Sequence, residues 1–329
     1  MIRLLNFVGI DDSDTVVVSY NDGFLKSCRY TVEGNNSFLE GISPKNIDIL
    51  TFHIGGIEQK GNISLSGRPD VIFNSICNPE SNTKSLALLI DWLKENDVPL
   101  INHPEQILLT KRDLIYKSLV DIPDIVMPKT LRLNPSSLAE IKKVLEEEHF
   151  SYPILFRPAN EHGGSGLIRI DRYEELGLLE RYAFDGRDYF ITEFVDFVSE
   201  DGLYRKSRYF VIDGKVYPRH RIVSTQWKIH AETRSELMNE STLFQNEEKK
   251  FLSRLDPEIE KKCLNIAQRV NLDCFGIDCH HETSGKMTIF EVNACMRPYA
   301  AHAQNYLNKA TSSIKQAIEA MVIKRSTNG

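Results

Sequence analysis

Short apolar runs separated by polar turns fill the N-terminal third of the chain: IRLLNFVG, TVVVSY, IDILTF and PDVIFNSI read as strands. SNTKSLALLIDWLKEN then carries the spacing of an amphipathic helix before a strand at VPLIN. Pro104 opens a second helical pattern, PEQILLTKRDLIYKSL, followed by a strand at MPKTLRL, a helix at SSLAEIKKVLEEEH and paired strands at YPILFRP and GLIRI. From FITEFVDF onward the pattern is strand, long hairpin, a charged helical stretch over 234–269, a further hairpin, and a C-terminal helix over 306–323. The class is α/β with α+β character, and breaks near 102 and 195 predict three units, 1–102, 103–195 and 196–329.

The last hairpin, FGIDCHHETSGKMTIFEVNA, interrupts apolar strands with oxygen-bearing side chains. A turn at Ser284-Gly285 places Asp278 opposite Glu291, with Asn293 on the same face opposite Gly276, which leaves room beside the amide. On the reverse face Ile277 meets Val292 and Cys279 meets Phe290, an apolar surface fit for a core. Two carboxylates directly opposed repel, unless a cation lies between them or one is protonated. An oxygen-only donor set suits Mg2+, which keeps waters and completes its shell with substrate phosphates. The alternative is a solvated outer face with an accidental acidic pair.

Two further segments bear on that choice. ANEHGGSG, between YPILFRP and GLIRI, lacks the Lys-Ser/Thr ending of a P-loop and precedes a strand, so it reads as a hairpin flap. In it Gly163, Gly164 and Gly166 let backbone N–H groups approach phosphate oxygens, Ser165 adds a donor, and Arg157 stands at the root. A simple mobile loop is the other reading. RKSRYFVIDGKVYPRHR turns at Asp213-Gly214, which places Arg208 opposite Arg219 and Lys206 opposite Arg221. Four cations on one face, with Val211 and Val216 on the other, call for an anion such as a polyphosphate unless the face is simply solvated.

Composition narrows the classes. The chain has 329 residues, 41% of them hydrophobic, and a net charge of −6 that gives no general attraction to nucleic acid or to an anionic membrane. Its six cysteines show no CxxC spacing, its first residues are too short in apolar run for a signal peptide, and no apolar stretch approaches the roughly 20 residues that span a bilayer. These features predict a reduced, cytoplasmic protein.

In their order these parts resemble the ATP-grasp fold of glutathione synthetase and D-alanine:D-alanine ligase. The helix with TKRDLIYK, the flap segment YPILFRPANEHGGSG, the linker ITEFV and the pair FGIDC and FEVNA carry the likeness. The strings DGKVYPRHRIVSTQWKIH and FEVNA are also similar to an ATP-grasp group sometimes fused to tetratricopeptide repeats, though no repeat array is visible here. The resemblance implies an N-terminal α/β domain preceding two α+β subdomains that sandwich ATP. It makes Lys111 the first nucleotide-contacting lysine and puts Arg157 where the family has its second. Glu193, Phe194 and Val195 become the adenine segment, Glu200 the ribose ligand, Arg208 a phosphate contact, and Asp278, Glu291 and Asn293 the magnesium ligands. Arg219, Arg221, Lys228 and His230 border the acceptor site, with Trp227 as wall.

The expected activity is ligation of a carboxylate to an amine through an acyl phosphate, with Arg297 and Arg219 as catalytic cations. The clustered basic residues point to an acidic small molecule or peptide as acceptor. A kinase that phosphorylates a hydroxyl, and a non-catalytic nucleotide-binding protein, are the alternatives. An N-terminal domain of this type is also compatible with a homodimer.

Overall fold

The computed structural model describes residues 1–21, 27–43, 45–56, 67–161, 164–230, 234–281, 285–299 and 305–327. In the first unit β1 (Ile2–Gly9), β4 (Ile47–Ile54), β5 (Val71–Asn74) and β6 (Leu100–Ile101) form a parallel sheet in the order β4-β1-β5-β6, beside an antiparallel pair of β2 (Val17–Asn21) and β3 (Ser27–Thr31). Leu4, Leu5, Asn6 and Phe7 are all buried, as parallel strands covered on both faces require. Helix α1 (Thr83–Leu93) takes its cap from a distant residue: Asp12 accepts hydrogen bonds from the N–H groups of Thr83 and Lys84, each at 2.9 Å.

The pattern PEQILLTKRDLIYKSL folds as two helices, α2 (Pro104–Leu108) and α3 (Arg112–Leu119). Thr110 Oγ1 donates to the Ile107 carbonyl at 2.7 Å, which closes α2, and Lys111 is extended, with ψ of 142°, as the cap residue of α3. β7 (Ile125–Val126) then leaves this unit to pair with a C-terminal strand. A four-stranded antiparallel sheet follows, β8 (Thr130–Leu133), β9 (Ile154–Pro158), β10 (Ile168–Ile170) and β11 (Tyr189–Glu193), in the order β10-β9-β11-β8. Its core is separate: Ile141 and Leu145 of α4 (Leu138–Glu147) pack with Phe156, Ile170, Tyr189 and Ile191.

The third sheet is β13-β12-β14-β15-β7, built from β12 (Tyr204–Ile212), β13 (Lys215–Ser224), β14 (Cys274–His281) and β15 (Met287–Asn293). The charged stretch before β14 holds a π turn at Arg234–Met238 and two helices, α5 (Thr242–Ser253) and α6 (Pro257–Val270). The C-terminal α7 (Leu307–Thr327) inserts Ile314, Ile318, Met321 and Val322 into a core shared with Leu4 and Phe73 of the first sheet and Phe210 and Ile212 of the third.

Both long hairpins contain a bulge that the alternation of side chains does not reveal. In β14–β15 Asp278 faces Glu291, Ile277 faces Val292 and Gly276 faces Asn293, but the register then shifts and Cys279 meets Ile289, not Phe290. Phe290, released from pairing, packs against Phe197 at a tilt of 57°, with ring centroids 4.6 Å apart. The room beside Asn293 is filled by Met296, whose sulfur would lie 2.4 Å from a Cβ on Gly276. In β12–β13 the shift falls between Arg208 and Tyr209, so Arg208 faces His220, Lys206 faces Ile222, and Ser207 faces Arg221. The expected Arg208–Arg219 and Lys206–Arg221 pairs do not form. Pro218, which has no N–H to give the ladder, lies opposite Tyr209, and Arg219 is the extra residue that bulges beside it.

Candidate functional site

Lys206 and Arg208 occupy one face of β12, and β14 presents Asp278 directly opposite Arg208. The carboxylate is 1% exposed and receives Arg208 Nε at 2.6 Å and Nη2 at 2.8 Å, while Lys206 Nζ lies 3.2 Å from its Oδ2. Burial alone pushes the Asp278 carboxyl up, but attraction to Arg208 and Lys206 outweighs it and holds the group well below the usual carboxylate range. Across the pair, Glu291 on β15 accepts a hydrogen bond from the guanidinium of Arg112, the first residue of α3. The cations required between two opposed carboxylates are thus supplied in part by side chains.

Asp278, Glu291 and Asn293 line one cleft of about 220 Å³ between the flap sheet and the third sheet. Arg112, Arg157, Lys206 and Lys228 stand around it. Arg157 donates to the carbonyl of Glu161, and burial followed by repulsion from Arg112 lowers its guanidinium to about 10, against the pull of Glu291 and Glu161. Such a concentration of cations at a half-enclosed site is relieved by a polyanion. The flap closes one side: Gly164 has φ +80°, and a Cβ there would lie 2.1 Å from Cε1 of His230. His162 and Gly163 lie outside the described residues.

Met127, Leu155, Leu167, Ile289 and Phe290 add an apolar lining to the same cleft, which the linker Glu193, Phe194 and Val195 also borders. The linker is fixed by its backbone: the Glu193 N–H donates to Lys129 O and the Phe194 N–H to Pro153 O, both at 2.9 Å, while Glu193 Oε1 accepts the Ser151 N–H at 3.0 Å. A cleft that combines apolar walls with cations and carboxylates suits a nucleotide, which carries both a base and phosphates.

Of the residues singled out from sequence, the cleft gathers Arg157, Gly164, Glu193, Phe194, Val195, Lys228, His230, Asp278, Glu291 and Asn293, with Arg208 directly behind Asp278. It does not gather Lys111, because the helix break sends Arg112 inward instead. Ser165, Gly166 and Glu200 are exposed and do not line it. Arg219 is buried in its bulge, donating Nε to the Pro298 carbonyl at 2.6 Å, and burial plus the nearby Arg234 and Arg208 lowers it to about 10. Arg221 turns to the opposite face of the sheet, where it bonds Ser207 Oγ at 2.9 Å and covers the Phe251 ring. Arg297 is exposed, away from the cleft lining. Sequence reasoning missed Arg112, and the apolar wall of Met127, Leu155 and Ile289, whose only signal is that of any buried strand.

The donor set fits a divalent cation. Among the described residues no three His, Cys, Asp or Glu side chains gather, but two carboxylates and an amide oxygen border the same cleft. Asp278 remains ionised, its oxygens retain lone pairs beyond those taken by Arg208 and Lys206, and the Glu291–Arg112 pair is a quarter exposed, with 26% accessibility on each side chain.

No protein-family model and no curated protein matches the sequence. The structure does find relatives in shape. D-Ala:D-Ser ligase VanG from Enterococcus faecalis superposes with a TM-score of 0.57 at 14% identity, covering 99% of each chain. D-alanine–D-alanine ligase from Bacillus anthracis gives 0.54 at 12%, covering 100% of each. The ATP-grasp ligase PsnB, solved with a minimal precursor, gives 0.52 at 15%, covering 86% of this chain and 94% of that one. The chain has the ATP-grasp fold. No helix among the described residues is long and apolar enough to cross a membrane.

Proposed function

We propose that the protein is an ATP- and magnesium-dependent ligase that joins a carboxylate to an amine through an acyl phosphate. The observation that carries this reading is the cleft itself, whose lining joins the Glu193–Val195 linker and apolar walls with Asp278, Glu291 and Asn293 and the cations of Arg112, Arg157, Lys206 and Lys228. PsnB solved with Mg and ADP, and the Bacillus anthracis ligase solved with ATP, have the same fold. In this reading the linker and apolar wall hold the base, and the flap covers the phosphates.

Magnesium, held by the oxygens of Asp278, Glu291 and Asn293, would supply charge neutralisation at the phosphates. Arg112, Arg157 and Lys206 bind and orient the polyphosphate from three sides, and Arg208 keeps Asp278 ionised and fixed. A substrate carboxylate oxygen attacks the terminal phosphorus and ADP leaves. The amine then attacks the acyl carbon, phosphate departs with the former carboxylate oxygen, and the nitrogen loses its proton. Lys228 and His230, beside the flap, are the groups nearest an acidic acceptor, a small molecule or peptide. Arg219 and Arg221, displaced by the bulge, support the structure around this site.

The test is incubation with ATP, magnesium and panels of carboxylates and amines, with ADP assayed and products weighed by mass spectrometry. Condensed products with release of free phosphate support the ligase. A stable phosphorylated product makes the enzyme a kinase, and absence of metal-dependent ADP formation across the panel makes it a binding protein.

A further inference from the structure

Past the end of β13 the chain runs Thr225–His230, and this short segment meets both the linker and the flap. Trp227 lines the cleft and meets the linker residue Phe194 edge to face, with ring centroids 5.4 Å apart and planes at 77°. Arg169 of β10 covers the outer face of Phe194 at 4.1 Å and reaches the Trp227 ring at 5.9 Å. His230 lies under the flap at Gly164. Between them, the Ile229 carbonyl accepts a hydrogen bond from Lys206 Nζ at 3.2 Å, the same ammonium that lies 3.2 Å from Asp278.

We propose that Lys206 is a positioning residue that seats the Thr225–His230 segment, so that Trp227 forms a wall of the base pocket and the base and phosphate ends of the cleft assemble as one unit. This rests on the nucleotide site proposed above and adds a recognition element outside the acid trio and the linker. The physical ground is that one ammonium, 20% exposed at its side chain, bridges a buried carboxylate and a backbone carbonyl of the segment. Its loss leaves Asp278 still paired with both Arg208 nitrogens, while the segment loses its charge-assisted tether. Trp227 is half-buried against the small cluster of Phe197, Ile222 and Ile229, so the segment has enough packing to form and little to fix its last ångström.

Adenosine separates this role from phosphate binding, because it has a base and ribose but no phosphate for Lys206 to touch. The protein holds two tryptophans, and Trp92 packs against Phe7 at 5.2 Å in the first unit, remote from the cleft lining. Full-length protein labelled with 5-fluorotryptophan gives two fluorine resonances, assigned by Trp227→Phe. Adenosine and ATP are each expected to shift the Trp227 resonance and leave that of Trp92 in place. Lys206→Gln is expected to weaken adenosine about tenfold, as loss of a charge-assisted hydrogen bond does, and Lys206→Arg to restore most of it; unchanged thermal melting confirms that the variants fold. Adenosine bound equally by wild type and Lys206→Gln overturns the positioning role, as does a Trp227 resonance unmoved by saturating ATP. Failure of wild type to bind ATP by calorimetry removes the nucleotide site, and this inference with it.

Discussion

Asp278 is a charge taken out of water, and its cost is met by the bidentate contact with Arg208 and the nearby Lys206. Arg208→Ala leaves that carboxylate buried with one partner, and is expected to lower unfolding free energy by about 3–5 kcal/mol in urea titrations; a loss below about 1 kcal/mol would mean water reaches the site. Glu291→Gln differs, because its carboxylate is a quarter exposed and its replacement has the same shape. Stability is expected to change by less than about 1 kcal/mol while ADP formation falls by about a hundredfold or more, and normal turnover would remove Glu291 from the metal set. The Asp278–Glu291 opposition and the placing of Asn293 agree with the alternation counted from Ser284-Gly285, but only because the bulge at Phe290 offsets a one-residue difference in pairing nearer the turn, where His281 faces Met287. Arg112 was not legible. Its side chain enters the cleft only because the helical pattern breaks at Thr110–Lys111, and both pieces remain compatible with one continuous amphipathic period.

At the scale of elements, the strands and most helices follow from their periodicity, whereas the bulges do not. An inserted residue alters nothing in the composition of a strand, yet it reverses the face of every residue beyond it. That is why Arg221, read as a cleft residue, stands on the opposite side with Phe251, and why Arg219 is buried under Pro298. The flap hairpin was legible as a hairpin, but not its contact with His230, which joins segments far apart in sequence. Gly164→Ala tests that contact, because the position combines a positive φ with a ring where the methyl would go. The flap is expected to stand off and KM for ATP to rise about tenfold, a cost of about 1.4 kcal/mol, with Tm within a few degrees of wild type. A wild-type KM would mean that the flap seats without His230.

At the scale of the molecule, amphipathic periods predict helices without naming their partners. α7 could be read as a C-terminal helix, but not as the element that buries Ile314 and Ile318 between the first and third sheets. The third sheet also places two histidines where protonation is opposed. His220 lies in a buried nest with Arg208, Arg234, Arg219 and Lys206, and burial followed by these charges lowers it well below its ordinary value. His281, lowered to about 3 by burial and then by Arg221, has Nε2 2.7 Å from Tyr209 Oη and 3.0 Å from Arg221 Nη2. A guanidinium only donates, so Nε2 accepts and the imidazole is neutral. Both groups therefore bind protons more weakly folded than unfolded, and stability should be flat above about pH 6.5 and fall as pH drops from there towards 3, with Asp278 adding to the loss below about pH 4. Each neutral histidine contributes a slope of about 1.4 kcal/mol per pH unit. Urea midpoints between about pH 7.5 and 4.5 read this slope, and His281→Gln should reduce it by the share of one proton. A variant whose acid sensitivity equals that of wild type would show that His281 takes up its proton without unfolding the sheet, and would place the acid lability of this pH range on His220.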